Sequence, residues 1–299
     1  MNTPSLAAGR SISRVESPRT LGPDAQVDNK ALIFDPSDPT LTDPFLFFGE
    51  DWFSTPGFEW HPHRGVETVT MVVDGVLEHG DNKGHAGALE TDDIQWMTAG
   101  RGIIHRELAY RNERAHVLQL WLNLSAADKM TDTNYQNLVA AQRPRIERPG
   151  VIIDVISGTV EGHTGPAHNH VAVQAVIITI EPGTRTDYAL PGNHRAFVHV
   201  LSGSADVSGH RLDTGRTAWS EPLPSERAAD ATARASSLYL STPDGDTTTR
   251  LMIFSGAPLN EPIALGGPFV MNTKVEITKA FNDFHAGKFG PIPRLMRLS

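Results

Sequence analysis

Four side chains with metal-ligand chemistry stand in two close pairs, His61-Pro-His63 and His105-Arg-Glu107. On a β-strand, residues i and i+2 point to the same face, so the members of each pair can converge on one point. Both pairs lie in segments that read as strand, and each stands beside a glycine turn: Gly65 follows the first, and Gly100 and Gly102 precede the second. Neutral imidazole and carboxylate suit borderline first-row metals, Fe(2+) among them, with Mn, Ni, Cu or Zn also compatible. Three histidines and one glutamate would leave two positions open on an octahedral metal, as catalysis or ligand sensing requires. The chain has no cysteine, which removes thiolate ligands and argues against a structural zinc site. Glu67 follows His63 on the same nominal strand face. It is a rival for the carboxylate ligand, or a hydrogen-bonding partner that fixes a histidine. Spacing leaves the choice between Glu67 and Glu107 open.

These residues need strands to position them, and the chain supplies strand patterning. Its 299 residues include 26 glycines and 21 prolines, a composition that suits a turn-rich all-β protein with more than one domain. Phe45-Leu-Phe-Phe48, Val66 to Val73, Val76 to His79, Ile94 to Met97 and His116 to Asn123 read as short strands. Turn signals at Asp74-Gly75, Gly80 to Gly87 and Asp92-Asp93 separate them. If no bulge intervenes, Val69, Met71 and Val73 continue the face of His61 and His63. Residues 126–149 read as a linker with a short helix near Asn137 to Gln142. Strand patterning resumes at Val151 to Ile156, Val171 to Ile180, Phe197 to Leu201 and Leu251 to Phe254. The Ser/Thr/Ala/Asp-rich stretch 226–249 reads as an exposed insertion, and Lys274 to Ala286 carries apolar residues at helical spacing. The expected organisation is therefore a metal-binding domain over 1–125, a linker over 126–149, and a second β domain without metal over 150–299, ending in a helix.

The net charge is −9, with no block of like charge and no Lys/Arg cluster, so direct nucleic-acid binding is not expected. No run of 18 apolar residues suggests a membrane span, and Met1 to Arg10 lacks the apolar core of a signal peptide; the expected location is the cytoplasm.

The order of glycine, His61-x-His63, Glu67, turn glycine and Gly102-x-x-His105 resembles the paired motifs of cupins. More narrowly, HPHRGVETVTMVVDG, His79-Gly-Asp81, IQWMTAGRGIIHRE, LQLWLNL and Gly267 to Thr273 resemble the pirin family over about residues 30–290. The resemblance implies two cupin-type β-barrel domains in tandem, with a metal, usually iron, in the N-terminal one. It also implies His61, His63, His105 and Glu107 as ligands, with Glu67 outside the ligand set. Asp92 departs from the family's usual glycine, the 226–249 stretch is not typical of it, and the second half has no complete ligand set. His168-Asn-His170 lacks a following glutamate and an answering Gly-x-x-His, so it reads as structural, as do His194 and His199. His79 and Asp81 lie near a turn and read as hydrogen-bonded structural residues. Trp60, Trp96 and Met97 read as barrel packing, and Arg64 is undecided between a surface role and support of the site.

Some pirins degrade quercetin-like flavonols, so the resemblance implies a dioxygenase acting with O2 on an aromatic enol substrate. Glu107, or Glu67, would accept a proton. The alternative is an iron-dependent co-regulator that acts through protein partners without turnover. A third expectation is a storage-like cupin with a vestigial site.

Overall fold

The structure is a computed structural model that describes residues 8–293, apart from 36, 55–56 and 225–234. Its residues divide into two compact units that do not follow the order of the chain. One comprises Arg19–Gln142, Asn169–Val171 and Leu259–Ser299; the other comprises Met1–Pro18, Arg143–His168 and Ala172–Pro258.

The unit that carries the histidines is built from eleven principal strands. They are β1 (Arg19–Thr20), β2 (Asn29–Phe34), β3 (Phe45–Phe53), β4 (Phe58–His63), β5 (Val66–Gly75), β6 (Leu77–Asp81), β7 (Ala86–Leu89), β8 (Ile94–Thr98), β9 (Ile103–Ala109), β10 (Ala115–Asn123) and β11 (Asn134–Leu138). One sheet runs β11-β8-β5-β10-β3-β2-β1 and a second runs β4-β9-β6-β7. Between them lies an apolar cluster that includes Phe53, Val72 and Val117 from the first sheet and Leu77 and Leu89 from the second. Burying each such side chain contributes about 1.5–3 kcal/mol, so this cluster holds the sheets face to face.

The chain passes from the second sheet to the first at Gly65, whose φ is +73°. A Cβ there would collide with the Val270 carbonyl oxygen, so both the conformation and the space call for glycine. This turn also resets the strand alternation. The residues of β5 that reach the β4-β9-β6-β7 sheet include Val66, which packs with Ile103, Thr70, which bonds Glu107, and Val72, which packs on Leu77. Val69 and Met71 therefore do not continue the face of His61 and His63, contrary to the uninterrupted reading of the sequence.

Residues 126–149 form less helix than the composition suggests. Asn134–Leu138 is strand β11, paired along β8 from Ile94↔Leu138 to Thr98↔Asn134. Only Ala140–Gln142 makes a helical turn, of the 3-10 kind, with the Ala140 N–H bonded to Asp93 Oδ1 at 2.8 Å. The open edge of β8 recruits the Asn/Gln stretch as strand, a tertiary demand that outweighs local propensity.

A hairpin of β12 (Ala264–Gly266) and β13 (Phe269–Met271) and the helix α1 (Lys274–His285) complete this unit. Thr273 caps α1 by accepting from the Glu276 N–H at 3.2 Å, and Glu276 Oε2 reaches back to the Asn272 N–H, much as in a capping box. Ile277, Ala280 and Phe284 of α1 pack with Ile104, Phe269 and Phe289. The helix is where the sequence places it, but it packs in the histidine-bearing unit and not with the second β domain.

The other unit has a seven-stranded sheet, from Arg145–Arg148 through Val151–Ser157, Val173–Ile180, Thr249–Gly256, Arg195–Ser202 and Thr217–Ser220 to Arg14–Glu16. A smaller sheet includes Arg185–Pro191 paired with Ala235–Ser241. That last strand falls within the stretch 226–249, where Leu238 and Leu240 are buried, so this part is core strand and not exposed insertion. Residues 226–234 lie outside the described residues. Among the described residues, no helix is long and apolar enough to cross a membrane.

Candidate metal centre

β4 is an edge strand, which explains how Pro62 fits inside it. Among the described residues it pairs only with β9, so the missing N–H of Pro62 interrupts no second ladder. The register sets His105 of β9 directly opposite His61 and Ile103 opposite His63. The three imidazole rings gather as a result, with centroids 4.2 Å apart for His61 and His105, 5.0 Å for His63 and His105, and 5.1 Å for His61 and His63. One nitrogen from each ring lies within 4.8 Å of the others.

Hydrogen bonds on the opposite nitrogens orient the rings. His61 Nδ1 bonds the Glu59 carbonyl at 2.7 Å, His63 Nδ1 bonds the Pro268 carbonyl at 3.2 Å, and His105 Nδ1 bonds His79 Nε2 at 2.8 Å. With Nδ1–H donating in each case, Nε2 is left free to ligate a metal. His63 Nε2 and His105 Nε2 are buried with no hydrogen-bond partner. Two orphaned acceptors aimed into one trio of imidazoles are what a divalent metal would satisfy, so the donor set fits a first-row ion. Burial lowers the pKa of all three histidines and of His79, and the neighbouring imidazoles lower His63, His105 and His79 further. They are held in the neutral form that binds metal.

The carboxylates differ from one another. Glu107 lies outside the 4.8 Å group, though it lines the same cavity. Its Oε1 accepts from Thr70 Oγ1 at 2.9 Å and its Oε2 from Gln119 Nε2 at 2.7 Å. Burial raises its pKa, and these two donors oppose the rise. Glu67 is fully buried and turned elsewhere, because the alternation resets at Gly65. Its oxygens accept from Trp96 Nε1 at 3.0 Å, Thr98 Oγ1 at 2.9 Å and the His170 N–H at 3.1 Å. It reaches neither the imidazoles nor the cavity, so its candidacy as proton acceptor or ligand has no geometric support.

The cavity beside the histidines has a volume of about 340 Å³. His61, His63 and Glu107 line it together with Phe47, Phe58 and Trp121. Phe47 and Trp121 are tilted against each other at 5.2 Å. Gly49 gives Phe47 its place, since a Cβ at Gly49 would stand 2.6 Å from Phe47 Cζ.

The remaining singled-out residues are structural. Arg64 is buried, donates to the Arg101 carbonyl at 2.7 Å and pairs with Asp283 at 2.9 Å. Asp81 caps its turn by accepting from the Lys83 and His85 N–H groups. Trp96 and Met97 are buried, and Trp60 packs beside Ile104 and Phe269 under the Arg106 guanidinium. His194 bonds Ser255, and His199 bonds Thr217. Sequence reasoning missed Asp51, Thr70, Gln119, Trp121 and Pro268 as residues of the site. The alternation of Leu118-Gln-Leu-Trp-Leu122 holds the signal for Gln119 and Trp121. Asp51 and the Pro268 carbonyl have no local signal.

Family models described as Pirin and as the Pirin C-terminal cupin domain match residues 14–122 and 175–290. The chain is 37% identical to Pirin-like protein 2 of Arabidopsis thaliana over 85% of this chain and 78% of that protein. It is 34% identical to Pirin of Homo sapiens over 83% of each. A crystal structure of quercetin 2,3-dioxygenase from Acinetobacter baumannii matches with a TM-score of 0.82 and 30% identity, covering 96% of this chain and 100% of that one. With both family models matched in order and relatives aligned over most of their length, the chain belongs to the pirin family, as a two-cupin β-barrel protein.

Proposed function

We propose that this protein is an iron-dependent dioxygenase that acts with O2 on a quercetin-like flavonol or a related aromatic enol. The observation that carries this reading is the pairing of orphaned imidazole nitrogens with an apolar, carboxylate-bearing cavity. The solved relative that bears the name quercetin 2,3-dioxygenase supports the choice of substrate class. His61, His63 and His105 would hold the metal, with Glu107 as the fourth protein ligand and as proton acceptor. Bound there, iron would supply the one-electron chemistry that lets O2 react with a closed-shell enolate.

The chain's own residues do the rest. Phe47, Phe58 and Trp121 bind a flat aromatic molecule by apolar contact and exclude water. The proton of the enol hydroxyl passes to a carboxylate oxygen of Glu107, which Thr70 and Gln119 hold in place. Burial raises the pKa of Glu107 and so makes it a better proton acceptor than an exposed carboxylate. A cavity of this size and character favours a small-molecule occupant over a role confined to protein partners.

Iron-loaded protein is expected to consume O2 when given quercetin, and His61→Ala to consume none while keeping its fold. Equal O2 uptake by the two proteins, or none by either, sinks the reading. Metal analysis of Glu107→Gln separates the roles of that residue. Loss of a ligand lowers metal content, whereas loss of the base leaves metal in place and removes turnover.

A further inference from the structure

Four polar side chains besides the histidines line the cavity: Lys30, Asp51, Glu107 and Gln119. Three of them have partners. Lys30 pairs with Asp24, Glu107 accepts from Thr70 and Gln119, and Gln119 Oε1 accepts from Trp121 Nε1 at 3.1 Å. Among the described residues, no hydrogen bond reaches the carboxyl of Asp51. A carboxyl at the wall of a cavity that lacks a protein donor is open to one from an occupant, and in a mostly apolar cavity the few polar groups orient the occupant.

The sheet register locates Asp51 relative to the chemistry. On β3, Phe47, Gly49 and Asp51 share one face and all three line the cavity. Gly49 lies opposite Gln119, the residue that holds Glu107. Asp51 lies two residues further along β3, roughly 7 Å from that rung, opposite Val117 and Lys30. The cavity thus has a reacting end at the imidazoles and Glu107, an aromatic wall, and a lone acceptor at a distance from the reacting end.

We propose that Asp51 is the specificity-determining anchor of this cavity, accepting a hydrogen bond from a hydroxyl that the substrate carries away from its reacting enol. This inference rests on the flavonol reading and narrows it to flavonols hydroxylated on a second ring. Burial and the neighbouring Glu107 charge push the Asp51 carboxyl up to about 7, consistent with a group that lacks a donor of its own.

Binding tests the proposal without turnover. Metal-loaded full-length protein, kept free of O2, is titrated with quercetin and with 3-hydroxyflavone, which has the enol but no second-ring hydroxyl. Quenching of tryptophan fluorescence reports occupancy, since Trp121 is in the wall. Wild type is expected to bind quercetin at least about tenfold more tightly than 3-hydroxyflavone, the effect of one hydrogen bond to a charged group. Asp51→Asn is expected to remove most of that difference by weakening quercetin alone. Equal wild-type affinities overturn the proposal, as does a variant that weakens both probes alike or neither. If wild type binds neither probe, the flavonol reading falls and the anchor with it. If wild type binds both with equal affinity without O2, and the same protein then consumes O2 with quercetin in air, the anchor alone falls.

Discussion

His79 shows how much a single buried residue can govern the candidate site. It is fully buried, and its Nε2 is 2.8 Å from His105 Nδ1. For His105 to present Nε2 to a metal, His79 must stay neutral and accept, and burial lowers its pKa in the required direction. His79→Ala removes that acceptor and frees the His105 ring to choose the other tautomer. Metal affinity is expected to fall about 10–100-fold, the usual effect of losing a partner of this kind. His79→Gln, which keeps an acceptor oxygen, is expected to recover part of the loss. Competition with a chromogenic chelator measures both variants, and unchanged affinity in the alanine variant refutes the role. The histidine trio was legible in the sequence because His-x-His on a strand has a fixed geometric meaning. Their orienting partners were only partly so. Glu59 and Pro268 act through backbone carbonyls, and a carbonyl is common to every residue type, so nothing in the sequence marks which one is used.

Among the elements, the turn at Gly65 decides which carboxylate can reach the cavity. Alternation alone sets Glu67 on the face of His63. The structure interposes a left-handed residue and a change of sheet, and Thr70 reaches Glu107 instead. A strand reading counts residues in steps of two, so one irregular residue inverts every later assignment. That is why strand positions were legible while their facing was not. The same limit explains β11, whose Asn/Gln composition gives no hint that the edge of β8 awaits it. Gly65→Ala is expected to lower the thermal unfolding midpoint and to reduce metal content. It forces an L-residue into a left-handed conformation, at about 1–2 kcal/mol, and drives its Cβ onto the Val270 carbonyl. Gly84→Ala is the matched control, since Gly84 has a φ of +101° but nothing within 4 Å of an added Cβ. Calorimetry should show a clearly smaller change for the control, and equal shifts in the two variants would show that the close approach at Gly65 contributes nothing.

For the whole molecule, the decisive fact is that the histidine-bearing unit takes in Leu259–Ser299, far along the chain from His61 and His63. This explains why the domain cuts read from the sequence differ from the compact units. Composition shifts mark linkers, but contacts across some two hundred residues leave no local trace. The Gly267 to Thr273 stretch was legible as a family motif, and the structure gives it a physical task. The Pro268 carbonyl orients His63, and the Val270 N–H bonds the Arg64 carbonyl at 3.0 Å. Beyond it, Asp283 meets Arg64, Lys279 and Lys288, and the Phe289 ring lies 4.5 Å from the Arg64 guanidinium. A chain ended at Pro258 would lose all of these partners at once and leave the buried Arg64 guanidinium without its counter-ion, which is destabilising. Such a chain keeps every candidate ligand, yet it is expected to bind metal at least about tenfold more weakly than the full chain, because His63 is no longer held. Asp283→Ala keeps Pro268 and is expected to lower the unfolding midpoint while retaining metal. Elemental analysis and calorimetry on the two proteins distinguish orientation of the ligand from support of the fold. Full metal affinity in the shortened chain would show that the four ligand candidates suffice without the carbonyl that the distant segment supplies.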